Sequence, residues 1–100
     1  MSQGMNIKAY GFPWYRKEDW PEIKRIMTDA EKLHDSYEDW LGAATQSEQR
    51  IRQSGQIVVR AYIDPVEFPN WCRARGLNVD AEARALFAST IADEKNRYSN

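Results

Sequence analysis

From Ile57 to Ile63 the apolar and polar positions alternate. Ile57, Val59, Ala61 and Ile63 fall on one side of an extended chain and Val58, Arg60 and Tyr62 on the other, the period of a half-buried strand. Asp64, Pro65 and Glu67 follow, an order that suits a helix start: a side-chain oxygen for free amides, a proline with no bond to lose, and a first-turn carboxylate. Pro69 makes that boundary soft and can delay the regular helix to about Phe68. Gly76 supplies a residue able to close the helix, and Asn78 or Asp80 can cap another that carries Ala83, Leu86, Phe87, Thr90 and Ile91 on one stripe.

The first half is read the same way. Residues 6–10 form a short strand candidate with Ile7 and Ala9 on one face, whose partner is the strand at 57–63. An aromatic loop, Tyr10 to Tyr15, comes next. Trp20, Ile23, Ile26, Met27 and Ala30 then recur at helical spacing, so a helix is expected from about Lys17 to Asp29. Asp35 or Ser36 can cap a longer helix with Tyr37, Trp40, Leu41, Ala44 and Ile51 on its stripe, ending near Gln53 with Gly55 as the stop. The expectation is an α+β fold: one mostly helical domain over residues 1–100, with about four helices and a short two-stranded antiparallel sheet. Its ends, residues 1–5 and 96–100, are expected to be loosely ordered, the last helix fraying beyond Ala92 as the chain turns polar.

Composition narrows the function classes more than it names one. The chain is 42% hydrophobic and 29% charged, ordinary for a globule of its 100 residues. Its net charge of −1 argues against a partner held mainly through phosphates, such as nucleic acid. The sign is uneven: residues 1–49 hold six basic and nine acidic side chains, a balance of −3, and residues 50–100 hold eight and six, a balance of +2. A mixed, solvated surface accounts for that difference. One cysteine, Cys72, excludes a disulfide within the chain and suits a reducing compartment. Without an apolar leader or a membrane-length segment, a cytoplasmic protein is expected, with no membrane partner.

Candidate chemistry is sparse. His34, the single histidine, lies beside Asp35 at the start of a helix, where a surface or capping role is the plainer reading. Cys72 has Arg73 and Arg75 nearby, but helical geometry aims neither at the sulfur, so a small inert core residue is expected. No nucleophile and base pair off, no ligand spacing suggests a metal, and no cofactor motif is present, so enzyme activity is not expected. Trp20, Trp40 and Trp71 lie on helical stripes and read as core. Trp14 sits instead among Tyr10, Phe12 and Tyr15, either as a cover over an open core edge or as a contact patch. A binding site is therefore expected on the outer strand face and the adjacent aromatic loop. Arg60 supplies charge there, Tyr62 and Trp14 ring area, and Arg73 and Arg75 the rim. If the strand has only one neighbour, its other edge is open, which calls for pairing with a second copy of the chain or burial by a helix of the same chain; the expected partner is a second copy or another protein.

Two resemblances follow from these residues. Val58, Arg60 and Tyr62 before a helix, with Gly76-Leu77-Asn78 as an inter-helix turn, resemble the ribbon-helix-helix DNA-binding proteins. That resemblance implies, as the alternative function, a regulator inserting strand 57–63 into the major groove. Over most of its length the chain resembles a group of small uncharacterised bacterial proteins. The shared residues are Tyr15-Arg16, Asp19-Trp20, Tyr37, Trp40-Leu41, Phe68, Trp71-Cys72, Gly76-Leu77, Ala83-Arg84 and Phe87-Ala88. This second likeness implies a free-standing cytoplasmic protein and brings no activity with it.

Overall fold

The computed structural model describes residues 9–97, and within its last helix the side chains up to Lys95. The elements run β1 (Ala9–Trp14), α1 (Trp20–Ile26), α2 (Tyr37–Gln53), β2 (Ile57–Tyr62), α3 (Glu67–Ala74) and α4 (Ala81–Arg97), with short 3-10 turns at Lys17–Asp19 and Ala30–Lys32. The α+β class and the four helices agree with the sequence reading; the strand direction does not. β1 and β2 are parallel, in a register that pairs Phe12 with Arg60 and Trp14 with Tyr62. The cause is the connection. Residues 15–56 carry two helices, and α2 returns the chain to the end of the sheet where β1 began, as a crossover between parallel strands must.

β1 also corrects the expected aromatic loop, because Tyr10 to Trp14 are strand residues. The expected Ile7 lies outside the described residues, as do residues 1–5 and 98–100, where loose ends were expected. α4 continues beyond Ala92 to Arg97.

Local chemistry sets the helix boundaries. The Ser36 hydroxyl accepts from the Asp39 amide (3.1 Å) and starts α2. One Asp64 carboxylate oxygen accepts from the amides of Val66 (2.9 Å) and Glu67 (2.8 Å), opening α3. Pro69 then falls at the third position of α3, within the first turn, where no intrahelical bond is lost. Gly76, at φ +67°, closes α3, its neighbour Leu77 donating to the Cys72 carbonyl at 2.9 Å. Asp80 caps α4 by accepting from the Ala83 amide (3.1 Å).

The sheet is the middle layer. Its Trp14 and Arg60 face meets α2, and the opposite face, with Gly11 and Ala61, meets α4. A Cβ on Gly11 would stand 2.0 Å from the Ala88 carbonyl oxygen, so strand and helix touch backbone to backbone. The buried stripe of α4 is accordingly Ala83, Arg84, Ala88 and Ala92, with Leu86 outside at 48% exposure. The expected stripe placed Leu86 inward. On the α2 side the core is aromatic: Trp40 lies 5.0 Å from Trp14, 4.9 Å from Tyr15 and 6.0 Å from Trp20, measured between ring centroids.

Candidate functional site

The alternation of β2 decides what its free edge offers. The Ile63 amide donates to the Trp14 carbonyl (2.9 Å), so Trp14 points its backbone groups at β2. Along a strand these groups alternate in direction. Phe12 and Tyr10 therefore point inward as Trp14 does, while Gly11 and Pro13 point to the outer edge of β1. Pro13 has no N–H to offer there, which is how edge strands tolerate proline. On β2 the outward set is Val58, Arg60 and Tyr62, each with both an N–H and a C=O. No strand pairs with them among the described residues. Exposed Ile57 (52%), Tyr62 (42%) and Val66 (69%) lie along and just beyond this edge.

Behind the edge stands an ion pair that sequence reading missed. The Arg60 guanidinium donates through Nε (2.7 Å) and Nη2 (2.8 Å) to both oxygens of Glu48, a bidentate grip. Arg60 also lies 3.9 Å above the centre of the Trp14 ring. Glu48 is almost fully buried, and the Arg60 hydrogen bonds hold its carboxyl below the usual carboxylate range against the opposing effect of burial. A signal for it exists in the sequence: Trp40, Ala44 and Glu48 are spaced by four, so a carboxylate occupies an apolar stripe and needs a buried cation.

The five residues expected to form a site are thus divided. Trp14 and Arg60 are in contact, but Trp14 is buried at 4% exposure and serves the core. Tyr62 is half-exposed, with the Arg16 guanidinium 4.5 Å from its ring centre. Arg73 and Arg75 bond within the α3 end instead, Arg73 to the Asn70 side chain (2.7 Å) and Arg75 to the Trp71 carbonyl (3.2 Å) and over its ring. The face of β2 holding Arg60 is the one that α2 packs against, so the groove-reading set of the ribbon-helix-helix alternative is partly covered by the chain itself.

A second buried pair lies at the head of α4. Arg84 donates to both Asp29 oxygens (2.9 and 3.2 Å), and Asp29 also accepts from the Ala81 amide (3.0 Å), supplying a cap from a distant part of the chain. Those Arg84 hydrogen bonds hold the Asp29 carboxyl below its ordinary range. Tyr15 nearby is pushed up to about 12 by burial. In the sequence Arg84 stands out only as part of the shared pattern and carries no assigned role, because its apolar neighbours set the helix stripe.

His34 is exposed in the loop before α2, where its carbonyl accepts from Lys24 Nζ (3.0 Å). Cys72 is fully buried in α3, and burial, with Asp80 adding to it, pushes its thiol up. A raised thiol is a poor nucleophile. Among the described residues no group of three or more histidine, cysteine or carboxylate side chains could hold a metal ion, and no helix is long and apolar enough to cross a membrane. No family model matches the chain, and comparison with curated proteins and with solved structures gives no match.

Proposed function

We propose that the protein is a small cytoplasmic interaction protein that pairs with a second copy of itself through the free edge of β2, and that it acts without a catalytic centre. The observation that carries this reading is the row of outward backbone groups on Val58, Arg60 and Tyr62, bordered by exposed Ile57, Tyr62 and Val66. An antiparallel pairing about a two-fold axis through Ala61 would set Arg60 of each copy opposite Tyr62 of the other. It would join two parallel pairs into a four-stranded sheet and would avoid facing Arg60 against itself. Glu48 already neutralises Arg60, so bringing two copies together would not bury an unpaired charge. The non-catalytic part rests on His34 and Cys72 standing on separate elements, one exposed and the other sealed in the core.

Sedimentation velocity over a concentration series tests the pairing. The wild-type chain is expected to move from monomer to dimer. Tyr62→Pro, which removes one outward N–H while leaving the inner ladder intact as Pro13 does on β1, is expected to remain monomeric. Tyr62→Lys, a gentler edge-blocking change, should weaken association in the same direction. A wild-type chain that stays monomeric throughout would remove the reading.

A further inference from the structure

On the α2 face of the sheet, at its β1 side, β1 and the last turns of α2 border an open cleft of about 410 Å³ lined by Tyr10, Phe12, Ser47, Arg50, Ile51 and Ser54, within the size range of small-molecule sites. We propose that this cleft binds a planar ring carrying an anionic group, of the nucleoside monophosphate class. Tyr10 is 45% exposed, its ring held edge-on to Phe12 at 6.2 Å, so an open aromatic surface is available at the cleft and is braced from behind. Phe12 and Ile51 provide further apolar wall.

The charge is equally specific. Arg52 and Arg60 share the single carboxylate of Glu48, whereas Arg50 makes no ion pair among the described residues. The Arg50 guanidinium at the cleft wall is therefore the one available to an anion, in a chain whose net charge is −1. No acidic residue lines the cleft. The carbonyl end of a helix ordinarily disfavours an anion, but here those carbonyls are already occupied. The Arg50 and Ile51 carbonyls accept from the Ser54 amide (3.2 and 3.1 Å), Ile51 also from the Ser54 hydroxyl (2.6 Å), and Arg52 from the Gly55 amide (3.0 Å). The Ser47 hydroxyl makes no side-chain hydrogen bond within the described residues and can serve a ligand. The base would stack on Tyr10 and the phosphate would meet Arg50, a combination that a shallow cleft can hold because stacking and ionic contact act at separate ends of the ligand.

The test is titration of the isotope-labelled full chain with adenosine monophosphate, followed by amide resonances. Saturable shifts are expected at Tyr10, Phe12, Ser47, Arg50, Ile51 and Ser54, with adenosine and inorganic phosphate each binding far more weakly. Stacking and charge terms of this kind predict roughly tenfold weaker binding for Tyr10→Ala and for Arg50→Gln, both exposed positions where folding is expected to survive, and no change for the remote Arg25→Gln. Absence of shifts in the cleft, affinity unaltered in Arg50→Gln, or preference for a single-stranded oligonucleotide over the mononucleotide would each overturn the assignment. The cleft lies away from the β2 edge, so Tyr62→Pro should bind as the wild type does, which separates this result from the self-association test.

Discussion

The two faces of the sheet are built on opposite terms. Toward α4 the contact is backbone against backbone, Gly11 against the Ala88 carbonyl, and the associated ion pair, Asp29 with Arg84, has both side chains about one-tenth exposed. Toward α2 the contact is made by ring faces, and in the Glu48–Arg60 pair the carboxylate is 3% exposed while the arginine is 40% exposed. Main-chain contact in a close-packed interior has no slack. A wet guanidinium can shift by a rotamer or recruit water. The α4 face therefore acts as the fixed part of the molecule, and the α2 face, which borders both the open edge and the basic cleft, is where small adjustments are tolerated.

The sharpest way to break this contrast is Asp29→Ala. It leaves the Arg84 guanidinium without its carboxylate, against the Met27 sulfur at 3.2 Å and the Tyr15 hydroxyl, and it removes the acceptor for the Ala81 amide. Loss of one partner from a buried pair costs about 3–5 kcal/mol. Denaturant unfolding monitored by tryptophan fluorescence should show that loss, and a cost close to zero would mean that the head of α4 is wet. Gly11→Ala comes second. Its new methyl would overlap a carbonyl that cannot rotate aside, and overpacking of this kind costs about 1–3 kcal/mol; Gly42→Ala, on α2 with nothing within 4 Å, should instead gain up to about 1 kcal/mol. Equal effects at the two glycines would remove the argument that strand and helix meet at their backbones.

These contacts also explain which parts of the fold the sequence could disclose. Asp64 and Gly76 were legible, and Ser36 and Asp80 each as one of two candidates, because caps and helix stops act within a few residues: the three side chains accept from nearby amides and Gly76 takes a positive φ. Gly11 and Pro13 disguised β1 as a loop because both are poor strand formers. One is required by Ala88, 77 positions away, and the other is tolerated only because it faces an open edge. The direction of pairing was equally non-local, being set by how α2 returns. In α4 the expected stripe followed the large residues, whereas close approach selected the alanines, which moved the buried face by a residue and turned Leu86 outward. The site was half legible. Strand alternation put Arg60 and Tyr62 on one face and Trp14 was added from the adjacent aromatic loop, but the Arg60–Trp14 contact is governed by Glu48, a charge hidden on an apolar stripe.

Glu48→Gln is the smallest effect and the one that sharpens the contrast most. The amide keeps the shape and one acceptor but gives up the charge-assisted bidentate grip on Arg60, and hydrogen bonds to charged groups contribute about 1.5–3 kcal/mol. Because Arg60 is substantially exposed, water recovers part of that, and about 1 kcal/mol is expected. The pH dependence carries the diagnosis. Arg60 holds the Glu48 carboxyl below its ordinary value, so the unfolded chain takes up this proton first. The pair's contribution is complete above the unfolded carboxylate pKa of about 4.3 and is lost as pH falls through the lower folded value. Stability of the wild-type chain should therefore fall more steeply than that of Glu48→Gln as pH drops below about 4.3. Asp29→Ala should likewise flatten the acid limb, its carboxyl being held low by Arg84. If Glu48→Gln instead matches Asp29→Ala in cost, the outer end of Arg60 is not relieved by water, and the α2 face is as rigid as the α4 face.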